Sequence, residues 1–408
     1  MKIEIDTVKG FQDFLPPESL KRKKVKEIIE NQFRLYGFVP IETPIVEFDE
    51  LMKPEEMPSE EQDEAISERF RLKDRAGRNL GLRYEFTFQL SRIFKQNQNI
   101  KLPFKRYQIG SVFRDEPISA GRFRQFTQCD IDIVGDPTIQ ADAECLSLVS
   151  DILKELKIES EIQVNNRKLI SSLIESVQIK NIKAVMRELD KLEKVGEDNV
   201  KVSLKKYADA NQILTLFKLL EKPLSFYKAN AFEGANEIEE LIELCKDYGI
   251  QVKFNPFMIR GLGYYTGNIF EVKEKGKNTI AGGGRYDKSV GKFLEKEIPA
   301  VGISFGLERV SELAITTVEP EPKVILVSIY QDKQTILLAK RLRKQGISCI
   351  IEFGKPSKAL EFANSYKIPY AVFIGEAEIE AKKFKLRDLA SGQEALITEK
   401  QLISRIKK

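Results

Sequence analysis

Between residues 19 and 36, Val25, Ile28, Ile29, Phe33 and Leu35 fall near one helical face. This spacing predicts an amphipathic helix with Ser19 as its N-cap and Gly37 as its stop. The run FVPIETPIVEF that follows reads as a strand interrupted by Pro40 and Pro44; proline donates no ladder hydrogen bond, so an edge or interface strand is expected. From Pro54 to Glu64 the chain is acidic and proline-bearing, the pattern of a solvated, mobile loop. ERFRLKD and NLGLRYEF then flank RAGR, which predicts a hairpin turning at Gly77, and a helix is expected from Thr87 to Gln96.

The segments 106–113 and 124–134 read as two strands joined by a charged loop. In the second, Gln128, Asp130 and Asp132 alternate with Cys129, Ile131 and Ile133, so one face is polar and the other apolar. A helix from about 141 to 156 leads into a lysine-rich, mostly helical region from about 166 to 235, expected as an inserted small domain. Strands resume near Val252, at Ile269 to Val272, at Ala281 to Gly284 and at Ala300 to Glu308. Helices mixed with hairpin-connected strands predict an α+β fold on an antiparallel sheet over residues 1–318. After the EPEPK linker at 319–323, short apolar runs alternate with helices, which predicts a compact parallel or mixed α/β domain over 319–408.

Composition narrows the chemistry. A chain of 408 residues is long enough for two or three domains. Its 66 basic and 62 acidic residues leave a net charge of +4, compatible with an RNA partner without demanding one. Cys129, Cys145, Cys245 and Cys349 lie too far apart for a CxxC pair, and there is no histidine to complete a zinc set. Met1 leads into a charged segment without a signal pattern, and no stretch approaches the length of a membrane span. A soluble cytoplasmic protein is therefore expected. The zero histidine count excludes Ser-His and Cys-His hydrolases and histidine-ligated metalloenzymes.

Four constellations carry candidate chemistry, each with a plainer reading beside it. FRDEPISAGRFR at 113–124 gathers Arg114, Arg122 and Arg124 with Asp115 and Glu116; guanidinium groups bind phosphate in a bidentate manner, but a solvated charged turn has the same composition. RGLGYYTG at 260–267 offers close backbone approach and two tyrosines, or simply a tight turn before a strand. AGGGRYD at 281–287 is either a ligand-facing turn or a flexible loop, and it lacks the P-loop pattern. GISFGLER at 302–309 ends a buried strand with Arg309 in the first turn of a helix, where it could meet a phosphate or be an ordinary first-turn residue.

Taken in order, these segments resemble the histidyl-tRNA synthetase family of class II aminoacyl-tRNA synthetases over nearly the whole chain. KGFQDFLPPE at 9–18 is similar to the family's N-terminal segment, GFVPIETP at 37–44 to motif 1, FRDEP through DIDIVG at 113–135 to motif 2, and GISFGLER to motif 3. RGLGYYTG and AGGGRYD narrow the amino acid to histidine. The resemblance implies a class II antiparallel-sheet catalytic domain with a mostly helical insertion, followed by a C-terminal α/β anticodon-binding domain. It implies ATP with Mg2+ as its companion, L-histidine and tRNA(His) as partners, and a homodimer.

Carried over residue by residue, the resemblance puts Arg114 and Arg260 on the ATP α-phosphate as the catalytic pair. Glu116 would hold the adenine amino group, Phe126 would stack on the ring, Arg309 would meet the γ-phosphate side, and Arg122 would join the ATP site. Glu85, Thr87 and Gln128 would hold the amino group of histidine. Asp132 and Tyr265 would read its imidazole, with Tyr264 and the glycines around Gly283 lining the pocket. Asp132 stands where a bacterial-type sequence often carries glutamate, which matches the archaeal and eukaryotic type, and Gly263 stands where aspartate is frequent. The implied reaction needs no enzyme base, because its nucleophile is already an anion. A non-catalytic, synthetase-like histidine sensor or regulatory subunit is the competing reading, distinguished by loss of the Arg260 run or of the C-terminal domain.

Overall fold

The computed structural model describes residues 5–52, 69–118, 122–259, 263–274 and 278–407. The acidic loop expected at 54–64 lies outside the described residues, as does Arg260. The described chain divides into two compact units, Met1–Thr316 and Thr317–Lys408.

The first unit opens with α1 (Glu18–Leu35), which buries Val25, Ile29 and Phe33. Its N-cap is Pro17 rather than Ser19, and no side chain caps it. Leu35 is 70% exposed, beyond the buried stripe. The proline-interrupted run splits into two elements, β1 (Val39–Pro40) and β2 (Val46–Phe48), which join different sheets. β1 edges the main sheet, where a strand containing proline leaves no ladder donor missing. β2 pairs with the hairpin β3 (Arg71–Lys73) and β4 (Asn79–Leu82), whose turn holds Gly77 at φ +77°. Short α2 (Phe88–Gln96) follows.

The long strands β5 (Phe104–Phe113) and β6 (Gln125–Val134) pair antiparallel and centre the site. Then come α3 (Ile139–Glu155) and β7 (Ser160–Asn166). The lysine-rich region folds as α4 (Arg167–Ser176), α5 (Ile182–Leu189), α6 (Leu192–Val195), α7 (Glu197–Leu204), α8 (Ala210–Leu220) and α9 (Leu224–Ala229). Its apolar residues, among them Leu169, Leu173, Leu216 and Tyr227, join the same buried cluster as the central strands. α10 (Ala235–Asp247), β8 (Val252–Phe254), β9 (Asn268–Glu274), β10 (Thr279–Arg285), β11 (Ala300–Gly306) and α11 (Leu307–Leu313) complete the unit.

Among the described residues, eight strands form one sheet in the order β1-β5-β6-β11-β10-β9-β7-β8. Cys129, Ile131 and Ile133 of β6 belong to a buried cluster with Val25, Ile29 and Phe33 of α1 and with Leu146 and Val149 of α3. The alternation in β6 thus sends its apolar set toward the helices. Gln128, Asp130 and Asp132 are buried as well, but they point to the opposite face, where a cavity takes the place of a helix.

The glycine run of AGGGRYD is strand β10, the strand expected at Ala281 to Gly284 and not the turn or loop that the motif taken alone suggested. It lies between β9 and β11, and a Cβ at Gly283 would come within 2.1 Å of the Gly302 carbonyl oxygen. Glycine here lets two backbones approach, so the residue type that suggested flexibility serves a tightly packed sheet.

The second unit orders its strands β13-β12-β14-β15-β16. β12 (Val324–Ser328), β13 (Cys349–Glu352) and β14 (Tyr370–Ile374) run parallel, and β15 (Phe384–Asp388) and β16 (Glu394–Ile397) extend the sheet antiparallel. α12 (Asp332–Lys344), α13 (Pro356–Ser365), α14 (Glu376–Glu380) and α15 (Glu399–Ile406) connect and flank it. Two buried clusters, one with Leu338, Leu342 and Leu402 and the other with Ala359 and Ala363, show helices on both faces. That arrangement explains why its central strands are apolar at successive positions.

Candidate functional site

A cavity of about 300 Å³ opens on the polar face of β6, walled by β10, β11, the segment before α2 and the two tyrosines that precede β9. Nine of the residues singled out in the sequence line it: Glu85, Thr87, Arg114, Phe126, Gln128, Asp132, Tyr264, Tyr265 and Gly283. Glu116, Arg122 and Arg309 are absent from that lining. Arg309 sits in the first turn of α11, just after the lining residue Gly306.

The deep wall is set by strand register. Arg106 of β5 stands directly opposite Asp132 of β6, and Gly302 of β11 stands on the other side. Arg106 is fully buried and lies 2.5 Å from the Asp132 carboxylate. The Tyr286 hydroxyl, just past the end of β10, donates to the other carboxylate oxygen. Gly302 leaves room for this arrangement, because a Cβ there would come within 2.1 Å of Asp132 Oδ1. Burial raises the Asp132 carboxyl above its ordinary range, and the Arg106 charge opposes that shift. A buried acid of this kind is tolerable because it is paired. Arg106 and Tyr286 were not singled out in the sequence: register is needed to bring the first opposite Asp132, and the second was seen only as one letter of a glycine-rich motif.

Two residues along β6, Asp130 faces Ser304 of β11. Ser304 Oγ donates to Asp130 Oδ1 at 2.5 Å, and Gln128 Nε2 donates to both Asp130 Oδ2 (3.3 Å) and Ser304 Oγ (2.7 Å). Burial, reinforced by Asp132 and Glu85 and opposed by Arg106, pushes the Asp130 carboxyl up to about 8. Gln128 Oε1 remains buried without a hydrogen-bond partner.

Glu85 forms the adjoining corner. Its Oε1 accepts from the backbone N–H groups of Thr87 (3.1 Å) and Phe88 (2.9 Å) at the start of α2, and its Oε2 accepts from the Tyr264 hydroxyl (3.2 Å). Burial raises its carboxyl, while those donors and the Arg114 charge pull the other way. Tyr264 packs at 4.9 Å from Tyr265 and edge-on at 5.8 Å to Phe88 and 5.9 Å to Tyr286, giving the cavity an aromatic side.

At the opposite end Arg114 anchors Nε on the Tyr84 carbonyl (3.2 Å), with its guanidinium 5.1 Å from the Phe126 ring centroid. The cation and the aromatic face therefore stand side by side at the end of the β5–β6 hairpin. Glu116 meets Arg122 at 3.6 Å, and Arg124 meets Asp115 at 3.3 Å. Glu308, the residue before Arg309, accepts from the Thr127 backbone N–H at 3.0 Å and pairs with Arg22 of α1 at 2.8 Å. Thus GISFGLER also contributes a latch between α11, β6 and α1.

Arg285 has a supporting place. It pairs with buried Asp142 of α3 and donates to the carbonyls of Asp136 (2.9 Å) and Thr138 (2.7 Å), which ties the glycine strand to a helix behind the sheet. A Cβ at Gly263 would meet no described atom within 4 Å, so this position tolerates a larger residue. Among the described residues no group of three histidine, cysteine, aspartate or glutamate side chains could hold a metal ion. No described helix is long and apolar enough to cross a membrane.

The whole arrangement has recognisable counterparts. A family model described as histidyl-tRNA synthetase matches residues 10–310, and one described as an anticodon binding domain matches residues 323–408. Histidine–tRNA ligase 1 of Bacillus cereus is 37% identical, covering 97% of this chain and 95% of that protein. Histidine–tRNA ligase of Wolinella succinogenes is 33% identical over 95% of this chain and 94% of its own length. Among solved structures, histidyl-tRNA synthetase from Nostoc sp. PCC 7120 matches with a TM-score of 0.86 at 29% identity, covering 100% of this chain and 99% of that one. An ATP phosphoribosyltransferase regulatory subunit/histidyl-tRNA synthetase from Bacillus halodurans C shares the fold, with a TM-score of 0.73 at 21% identity over 89% and 97% of the two chains. These relatives are bacterial. The archaeal and eukaryotic type inferred from Asp132 is therefore not supported: one shorter carboxylate, set by its pairing with Arg106, does not mark a lineage.

Proposed function

The chain belongs to the histidyl-tRNA synthetase family, and from that premise we propose that its cavity seats L-histidine against the α-phosphate of ATP, forms histidyl-adenylate, and passes the histidyl group to tRNA(His). The activity is that of a histidine–tRNA ligase. The observation that carries the site assignment is the polarity of the cavity, with buried, paired Asp132 and an unpartnered Gln128 oxygen at one end and the cation of Arg114 at the other.

Histidine's α-ammonium would sit among Glu85, Thr87 and Gln128, which line the same cavity. Its imidazole fits between Asp132 and Tyr265, with Tyr264 and Gly283 as walls. Asp132 is ion-paired with Arg106 and accepts from the Tyr286 hydroxyl, and its Oδ2, buried without a hydrogen-bond partner, has lone pairs left for a donor such as an imidazole N–H. Pairing in advance leaves little to reorganise on binding, and a pocket whose polar groups need the imidazole discriminates strongly against isosteres that lack it.

Arg114 and Arg260 would flank the α-phosphate. The histidine carboxylate oxygen forms a bond to phosphorus as the bond to pyrophosphate breaks, and two fixed cations stabilise the added negative charge. Phe126 offers a face for adenine, Glu116 an acceptor for its amino group, and Arg122 and Arg309 further cations on the nucleotide side. Mg2+ enters with the triphosphate. In the second step a ribose hydroxyl of the terminal adenosine attacks the histidyl carbonyl, AMP leaves, and an adenylate phosphate oxygen takes the proton. No step requires an imidazole from the chain.

By the same reading, residues 1–318 form the catalytic domain, 319–408 bind the anticodon, and the helical region 166–235 approaches the acceptor stem. The protein would act in the cytoplasm as a homodimer with motif 1 at its interface. The match of 323–408 to an anticodon binding domain supports the enzyme over a histidine sensor or regulatory subunit. Histidine-dependent exchange of pyrophosphate into ATP, followed by charging of tRNA(His), tests the proposal. Absence of exchange with magnesium and ATP present defeats it, whereas exchange with another amino acid corrects only the specificity.

A further inference from the structure

Beside the residues expected to touch substrate lies a pair that sequence reasoning left without a role. Asp130 and Ser304 face each other across β6 and β11, and both engage Gln128. In this structure their hydrogen bonds run in one direction. Ser304 has a single hydroxyl proton and places it on Asp130, so its oxygen can only accept from Gln128. Asp130 accepts from Gln128 through its other oxygen, Oδ2. The atom of Gln128 that faces the pair is its NH2, and Oε1 is left buried and without a partner. A buried acceptor without a donor is costly, and that cost is recovered when a ligand supplies the donor.

We propose that Asp130 and Ser304 are positioning residues that lock the Gln128 amide with its oxygen toward the α-ammonium of the bound amino acid. This rests on the reading of the cavity as the amino-acid site and adds how one of its contacts is oriented. Without the lock the amide can rotate, and its NH2 would then confront a cation. The device sets amino-acid affinity and leaves the nucleotide end untouched.

The test is histidine-dependent pyrophosphate exchange with the full-length chain, reading KM for histidine, KM for ATP and kcat separately. Asp130→Asn presents an NH2 that favours the flipped Gln128 amide. It is expected to raise KM for histidine about tenfold or more, with KM for ATP unchanged. Ser304→Ala, which removes one of two pins, raises it by a smaller factor in the same direction and serves if Asp130→Asn fails to fold. The double variant Asp130→Asn/Gln128→Glu reverses the polarity, since the introduced carboxylate accepts from the asparagine and still offers an oxygen to the ammonium. Recovery of most of the lost affinity is expected, and a merely structural Asp130 would give none. If Gln128→Ala raises KM for histidine while Asp130→Asn and Ser304→Ala do not, the lock is overturned and the amino-acid site stands. If Gln128→Ala itself leaves KM unchanged, the assignment of Gln128 fails, and the lock with it.

Discussion

Asp132 and Glu116 are both carboxylates near arginines on the β5–β6 hairpin, yet their settings differ sharply. Asp132 is 3% exposed, stands opposite Arg106 at 2.5 Å and receives the Tyr286 hydroxyl. Glu116 meets Arg122 at 3.6 Å, and that arginine side chain is 59% exposed. One end of the cavity is built from strand-borne groups whose neighbours are fixed by register, and beyond the other lies a loop where an exposed arginine meets a half-buried Glu116 at a longer distance. On the proposed reading, the strand-borne end would take the imidazole and the ammonium, and the loop-borne end the phosphates of the nucleotide. Selectivity among amino acids calls for the first kind of construction, and admission and release of a large polyanion for the second.

The sharpest way to break this contrast is Asp132→Ala. It strands the fully buried Arg106, and losing one partner of a buried pair costs about 3–5 kcal/mol. Denaturant unfolding should show a loss of that size, with pyrophosphate exchange abolished. Glu116→Ala should cost less, about 1 kcal/mol, because its partner Arg122 stays in water and the pair is long at 3.6 Å. Equal losses would erase the distinction between the two ends.

Arg114→Ala separates chemistry from stability. Its proposed work is on developing charge, so the single-turnover rate of adenylate formation should fall about 10²–10³-fold. The fold should hold, since the side chain is anchored by a hydrogen bond to the Tyr84 carbonyl rather than by a buried ion pair. A normal rate would remove Arg114 from the mechanism, and a collapse in stability would place it in the preorganised wall.

A smaller effect comes from pH. Asp130 is raised from its ordinary value of 3.8 to about 8 by burial, with Asp132 and Glu85 raising it, Arg106 opposing, and the Ser304 hydroxyl bonded to it. The folded chain then holds a proton that the unfolded chain has released, so this group's contribution to stability falls as pH rises between those values. Wild type should therefore lose stability relative to Asp130→Asn between about pH 5 and 8, by at least about 1 kcal/mol. Taking the difference cancels the titration of groups common to both proteins, such as Asp142. Parallel stability curves would show that Asp130 stays ionised throughout.

What could be read from the sequence follows the same division. The alternation of β6 put Gln128, Asp130 and Asp132 on one polar face, and the motifs around Arg114 and Tyr264 led to residues that line one cavity. Cross-strand partners could not be read, because Arg106 opposite Asp132 and Ser304 opposite Asp130 depend on register between segments far apart in the chain. The glycine run was legible as a strand but not in its reason: glycine permits flexibility and also permits backbones to touch, and only the neighbouring strand decides which. The single run from Phe38 to Phe48 likewise concealed a change of sheet between β1 and β2.

The least disruptive substitution tests the loop-borne end by itself. Arg122 is exposed, lies outside the cavity lining and is paired only loosely with Glu116. Arg122→Ala should change unfolding free energy by no more than about 0.5 kcal/mol. It should also leave KM for histidine unchanged, because nothing connects Arg122 to the locked amide of Gln128. If the loop closes on nucleotide, the lost cation should raise KM for ATP by less than about fivefold, as a contact worth at most about 1 kcal/mol would. That increase should shrink as salt is added, because screening removes what a solvated charge contributes. A change in KM for histidine instead would mean that the two ends are coupled, and the division between a fixed wall and an adaptable loop would have to be redrawn.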